Sequence, residues 1–244
     1  MRRVPTVVLT RAPEDNAPLA AELRGRGVAV IELPAMLIEP VNDDRQLIAA
    51  VRALGPDDRV VFTSRAGVDA VRRAVAPADV YAPVAAVGPA TAARCAEWGI
   101  DAWTPSEPSG AALGRELLLG SGVVLLPRAD RSDPAIVNEL IARGARVREV
   151  VAYHVVPRAT GDVVAAKRAA LAGSVFVLAS PVAVDGVASA IGLAALGRAR
   201  LLALGPTTAR AVARLVGADP RIVGTLTAEA IVRELEEVPH VAHR

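Results

Sequence analysis

The sequence predicts an α/β protein of two flavodoxin-like domains. Each is a parallel sheet with helices on both faces, and the two are joined by a two-stranded linker ladder and related by an internal duplication of about 117 residues. Three observations carry this. Short, continuously apolar runs alternate with amphipathic stretches, as in sheets whose strands are buried on both faces and connected through helices. Two halves of the chain repeat in order at a near-constant offset. Two extended segments ending at a proline occupy matching places in that repeat.

Val7-Val8-Leu9-Thr10 is the first strand, over 7–10, followed by a helix over 17–26 and a second strand over 28–33. The extended segment 35–41, with Pro40 near its end, comes next. Strands are then expected over 59–63, 84–87, 102–104, 123–127 and 146–151, separated by helices over 66–75, 91–98, 111–119 and 134–143. The second extended segment ends at Pro157, and beyond it strands over 175–178, 201–204 and 221–223 alternate with helices over 182–190, 208–216 and 228–237.

The repeat is explicit in the residues. Val7 to Ala12, with Leu23 and Gly27, aligns with Val124 to Ala129, Leu140 and Gly144 at an offset of 117. Val87-Gly88-Pro89-Ala90-Thr91-Ala92 aligns with Leu204-Gly205-Pro206-Thr207-Thr208-Ala209 at the same offset, and so do Ala111 and Ala228, while Ser64 pairs with Ser180 at 116.

Composition bounds the function. At roughly 150 residues per domain, 244 residues make one large or two small domains. Hydrophobic types are 52% of the chain, which excludes disorder, and its only aromatics are Phe62, Phe176, Tyr81, Tyr153, Trp98 and Trp103, too few for rows of stacked nucleobases. A net charge of +2 gives no long-range field for duplex nucleic acid. Lys167 is the only lysine among 28 basic residues, a bias that fits a high-GC genome or bidentate binding of carboxylates. The single cysteine, Cys95, sits in a helical stretch, reads as core, and fits a reducing compartment. The apolar run after Met1-Arg2-Arg3 is broken by Arg11, Glu14 and Asp15, too early for a secretory signal. No stretch approaches the ~20 apolar residues of a membrane span. A cytoplasmic protein with neither a membrane nor a nucleic-acid partner is expected.

In open α/β sheets ligands bind beyond the carboxyl ends of the strands. There the polar residues gather: Thr10-Arg11, Thr63-Ser64-Arg65, Gly88 to Thr91, Pro127-Arg128, Ser180-Pro181 and Gly205 to Thr208. Each turn begins a helix, so unpaired N–H groups, a hydroxyl and the positive end of the helix dipole make a receptor for anions. Ser and Thr are also the usual helix N-caps, so each position has a purely structural reading as well. Tyr153 breaks the repeat, because its counterpart is Met36. Its ring either packs the linker or offers a hydroxyl to a group in the cleft. No phosphate loop, dinucleotide fingerprint or nucleophile elbow occurs, and two of the three histidines, His240 and His243, lie in the C-terminal tail away from His154, which argues against a metal site.

Together these motifs resemble the uroporphyrinogen-III synthase family: the opening Val-Leu-Thr-Arg-Ala, Val61 to Val68, Ala86 to Ala92, Glu149 to Tyr153, Leu178 to Pro181 and Leu204 to Arg210, in that order over nearly the whole chain. The resemblance implies a bilobal protein with one domain from 1–34 and 158–244, another from 42–150, and linkers at 35–41 and 151–157. It implies closure of hydroxymethylbilane to uroporphyrinogen III in the inter-domain cleft, inverting ring D and releasing water, without cofactor or metal. Tyr153 would assist departure of the hydroxyl. Ser64, Thr91, Ser180, Thr207 and Thr208 would hold the acetate and propionate arms. Arg11, Arg65 and Arg128 join them on the strand-end argument. Where the family often has a lysine before Gly-Pro-Thr-Thr, this chain has Arg198 and Arg200, for which a positioning role is expected. A monomer is expected, in transient contact with the enzyme that supplies the bilane. A catalytically silent tetrapyrrole- or anion-binding sensor of the same fold is the alternative, and a hinged solute binder is a third reading, disfavoured by the lack of an export signal.

Overall fold

The computed structural model describes residues 5–224 and 226–236. Apolar runs form the strands, and the stretches between them form helices. Strand β1 (Thr6–Leu9) leads to α1 (Pro13–Gly25), β2 (Ala29–Glu32), β3 (Leu37–Pro40), α2 (Arg45–Arg52), β4 (Arg59–Phe62) and α3 (Arg65–Ala74). Then come β5 (Val84–Ala86), α4 (Pro89–Ala96), β6 (Ala102–Trp103), α5 (Gly110–Glu116), β7 (Val123–Ala129), α6 (Ala135–Ala142) and the long β8 (Arg146–Val156). The rest is α7 (Val163–Leu171), β9 (Val175–Leu178), α8 (Pro181–Ile191), α9 (Leu193–Leu196), β10 (Arg200–Ala203), α10 (Pro206–Val216), β11 (Arg221–Ile222) and α11 (Ala228–Glu236).

The chain divides into two compact units, one made from the residues up to Leu37 and from Val156 onward, the other from Ile38–Val155. In the first unit the sheet order is β11-β10-β9-β1-β2, with parallel neighbours. Its inner strands β1, β9 and β10 are buried on both faces, as their apolar runs require, while the edge strands β2 and β11 are more exposed. Phe176 and Leu178 of β9 pack with Val8, Val184, Val187 and Val212 on one side, and Val175 and Val177 pack with Val7, Leu9, Leu23 and Ile231 on the other.

In the second unit the order is β3-β8-β7-β4-β5-β6. The pairs β4–β5, β4–β7, β5–β6 and β7–β8 are parallel. Val60, Phe62 and Leu125 face Leu47, Val68, Val71 and Trp98, while Val61, Val124 and Leu126 face Leu113, Leu117, Ile136 and Leu140. The molecule is thus a mixed α/β fold with parallel sheets covered by helices.

The two extended segments lie beside each other, as expected, but as part of a larger sheet, and the structure departs from the sequence reading after them. The strand expected over 146–151 runs on to Val156, and part of 35–41 forms β3, so these segments are neighbouring strands of the second unit's sheet. Helices α2 and α7 had no counterpart among the expected elements. The first is short and its N-cap Asp44 makes no side-chain cap bond; the second buries only Ala166, Ala169 and Ala170, which give a faint hydrophobic period. Met1 to Val4, Thr225, Glu237, His240 and His243, on which parts of the sequence reading fall, lie outside the described residues.

Candidate active site

In the second unit the site is built at the carboxyl ends of β4, β7 and β8. After β4 the chain turns at Ser64, extended at φ −162° and ψ 157°, and enters α3. The Ser64 hydroxyl accepts the Gly67 N–H at 3.1 Å, capping the helix. A Cβ at Gly67 would lie 2.9 Å from the Pro127 carbonyl oxygen, so the missing side chain lets the first turn of α3 rest on the end of β7.

Tyr153 arrives from β8. Arg128 pairs with Val151 and Ala129 with Tyr153, so Ala152 is an extra residue on β8 and the alternation of faces is broken there. Ala152 and Tyr153 are consequently both buried. The Tyr153 hydroxyl lies 2.7 Å from the Ser64 Oγ, and either oxygen can donate. Burial pushes the phenol above its ordinary pKa, against the opposing effects of the Ser64 hydrogen bond and the Arg128 charge; Asp130 adds to the rise.

Arg128 is buried and engaged with the protein itself. Its Nη1 donates to Glu149 at 2.9 Å, its Nη2 donates to the Asp133 carbonyl, and its Nε is buried with no partner. The guanidinium thereby clamps the turn after β7 to β8. Within that turn the Asp130 N–H donates to the Tyr153 carbonyl at 3.3 Å, and the Asp130 carboxylate meets His154 Nδ1 at 3.1 Å and the Val155 N–H at 3.3 Å. Burial raises the Asp130 pKa, but the His154 and Val155 bonds outweigh it and hold the carboxyl low. Arg65 is the first residue of α3, beside Ser64. Thr91 is buried in the first turn of α4, behind the extended Gly88.

In the first unit Ser180 caps α8, accepting the Ala183 N–H at 3.1 Å. Thr10, at the end of β1, donates to the Val177 carbonyl at 2.6 Å and ties β1 to β9, and Arg11 pairs with Asp15 at 3.4 Å. Helix α10 begins at Pro206 after an extended Gly205; Thr208 is buried and Thr207 accepts from Arg210 at 3.4 Å. An open pocket of about 380 Å³ lies here, lined by Pro181, Thr207, Arg210, Ala211 and Arg214.

The sequence reading missed Arg210 and Arg214. Their signal was available: two cations one helical turn apart, with no carboxylate partner for either among the described residues. Helix α4 differs, since its Arg94 is neutralised by Asp69 at 2.7 Å and by Glu97. The positioning role expected of Arg200 is not supported. It opens β10 at the amino end, opposite these turns, and donates to the carbonyls of Gly173 and Glu234. The structure therefore joins Tyr153, Ser64 and the Arg128 clamp in one unit, and gathers Thr207 with Arg210 and Arg214 in the other, while Arg11 is paired locally.

Residues 17–233 match the family described as uroporphyrinogen-III synthase HemD. This chain belongs to the uroporphyrinogen-III synthase family. The uroporphyrinogen-III synthase of Synechococcus elongatus is 32% identical over 157 residues, which span 61% of this chain and 60% of that relative's length. Solved structures share the fold: a mutant uroporphyrinogen III synthase of Thermus thermophilus has a TM-score of 0.57 at 20% identity, with 96% of this chain and 98% of that one covered. The uroporphyrinogen-III synthetase of Helicobacter pylori has a TM-score of 0.57 at 14% identity, with 95% and 98% covered. Among the described residues of this family member, no trio of His, Cys, Asp or Glu is arranged to hold a metal ion, and no helix is long and apolar enough to cross a membrane.

Proposed function

We propose that this member of the family closes hydroxymethylbilane to uroporphyrinogen III, inverting ring D and releasing water, with no cofactor. The observation that carries the reading is Tyr153, a buried phenol paired to Ser64 at the carboxyl edge of its sheet, at the position of the tyrosine that the family resemblance implicates. Burial keeps the phenol protonated at neutral pH, so it is a hydrogen-bond donor to the departing hydroxyl. The electron-rich pyrrole expels that hydroxyl and spreads the resulting positive charge. Attack by the far end of the bilane through the substituted carbon of ring D then forms a spiro intermediate, and its reopening and closure give the inverted ring.

The substrate carries eight carboxylates. The Arg210–Arg214 pocket, with Thr207, Thr208 and Ser180 nearby, and the turns at Thr91 and Arg65 are suited to such arms, because guanidinium groups and helix-start N–H groups favour anions. Much of the acceleration comes from holding the two ends of a flexible chain together. Arg128 takes the role of a brace behind Tyr153 instead of contacting substrate, and Arg11 is paired with Asp15.

We also infer that the two units are diverged copies of one flavodoxin-like ancestor. In support, Ser64 and Ser180 cap their helices with equal geometry, and Gly88-Pro89 and Gly205-Pro206 start α4 and α10 in the same way. A cytoplasmic monomer, receiving the bilane by transient contact with the enzyme that makes it, is the simplest setting for the proposed reaction.

The test is to supply purified protein with freshly generated hydroxymethylbilane, oxidise the products and separate the type I and type III uroporphyrin isomers. The bilane closes unaided to type I, so a predominance of type III supports the proposal. Type I alone, at the uncatalysed rate and from folded protein, overturns it in favour of a silent binder.

A further inference from the structure

The Ser64–Tyr153 pair leaves open which oxygen donates, and the consequence for chemistry is large. Ser64 Oγ has one proton and already accepts the Gly67 N–H at 3.1 Å. If Tyr153 donates to Ser64, the phenol's proton is spent inside the protein and the serine proton has no acceptor among the described residues. If Ser64 donates to Tyr153, every hydrogen-bonding valence of the serine that matters here is filled, and the phenol's proton points away from α3. Hydroxyl hydrogens rotate freely to suit their partners, so an acceptor beside the phenol selects the second arrangement.

We propose that Ser64 is a positioning residue that donates its hydroxyl hydrogen to the Tyr153 oxygen, so that the phenol's own proton is aimed at the departing hydroxyl of the substrate. This rests on the function proposed above and gives Ser64 a role other than holding a carboxylate arm. The step balances. The carbon–oxygen bond of the hydroxymethyl group breaks with its electron pair on oxygen, and that oxygen leaves as water with the phenol's proton. The phenolate is reprotonated by the hydrogen lost from the ring carbon that closes the macrocycle. While the phenolate exists, the Ser64 O–H stabilises it directly. The helix cap holds the serine oxygen in register, so the cap and the proton relay are one device.

The charged groups acting on this phenol are Arg128 from the end of β7, which favours the phenolate, and Asp130 from the following turn, which opposes it. Neither is altered in the test. The chain has only two tyrosines, and Tyr81 is exposed, so Tyr81→Phe leaves Tyr153 as the sole source of tyrosinate absorbance near 295 nm. In that background Ser64→Ala is expected to move the Tyr153 titration to higher pH and to lower kcat for type III formation by roughly 10- to 100-fold, with KM changed by less than about threefold. Ser64→Thr, which keeps a hydroxyl and a capping oxygen, is expected to restore both. Ser109→Ala controls for lost capping, since Ser109 caps α5 by accepting the Ala112 N–H at the same 3.1 Å with no phenol beside it; its kcat is expected to stay near that of the native protein. An unmoved Tyr153 titration in Ser64→Ala overturns the proposal. So does a rise in KM at constant kcat, which marks a substrate contact, or an equal loss in Ser109→Ala, which marks capping alone. Absence of type III product from the native protein removes the functional reading, whereas the titration is read without substrate and judges the hydrogen bond by itself.

Discussion

A phenol can serve a reaction at neutral pH in two ways, as a neutral donor or as a phenolate, and the surroundings of Tyr153 choose the first. Its ring is buried, which disfavours the charged form, and the nearby Arg128 and Ser64 only partly offset that. Tyr153→Phe keeps the ring and its packing but removes the proton. Activity should fall about 1000-fold, more than for any single Ser or Thr change at the site, while stability falls by only about 1 kcal/mol. Rates of type III formation and a denaturant titration check the two halves. Cys95 gives a second prediction. Burial pushes its thiol up to about 11, from an ordinary value near 9. Folded and unfolded chains both carry the neutral thiol below pH 9, so this group leaves stability untouched there. Above it only the unfolded chain ionises readily, and stability should decline as pH rises from about 9 to about 11. Cys95→Ala should remove that part of the decline, read from urea midpoints across the range. At this scale the sequence showed which residues were unusual but not what they touched. Tyr153 was visible because it breaks the repeat, and Ser64 because it precedes a helix, but 89 residues separate them and only sheet order brings β4 and β8 near each other. Arg128 read as a substrate contact because its place at a strand end is visible, whereas the Glu149 carboxylate and Asp133 carbonyl that engage its guanidinium are brought to it only by the fold.

At the scale of elements, what a helix presents along its length bears on packing and on the proposed binding. Helix α8 lies against the backbone where the chain leaves and re-enters the first unit: a Cβ on Gly186 would meet the Ala35 carbonyl oxygen, with the Arg158 N–H also close. Both contacts are backbone and neither can step aside. Gly186→Ala should therefore cost about 2–3 kcal/mol, even though alanine is the better helix former, and a drop in thermal midpoint against a matched Ala188→Gly control measures it. Helix α10 supplies the other case. Like charges one turn apart destabilise a helix slightly unless an anion joins them, and Arg210 and Arg214 share a pocket wall. Changing both to Gln should raise KM for the bilane about tenfold with kcat nearly unchanged, and should weaken the dependence of KM on salt. Most of these elements were legible because their strands are continuously apolar and their turns polar. Helix α7 was not, since alanine carries little periodic signal, and β3 read as a linker because its exposed, proline-ended residues lack an apolar face.

At the scale of the whole molecule, the two units differ in how the chain builds them. Every strand from β3 to β8 falls within 37–156, so one continuous segment holds the second unit's sheet and both of its core faces. The first unit is assembled from the two ends of the chain, and β1 lies between β9 and β2 in its sheet. Val7 and Leu9 pack on one face and Val8 on the other, while Leu23 and Leu33 add to the two cores, and all five are fully buried or nearly so. Losing five such side chains forfeits about 10 kcal/mol of burial, as much as the whole stability of a typical domain. A fragment of residues 37–156 should therefore unfold cooperatively by itself, whereas 156–244 should not fold until the first 37 residues are supplied. Circular dichroism under denaturant, on each fragment and on the two terminal pieces mixed, distinguishes these outcomes. A cooperative transition in 156–244 alone would mean that β9 and β10 hold a sheet without β1. In that case the covalent order of the chain, with its outer pieces joined only through the middle, would matter for folding far less than the strand order implies.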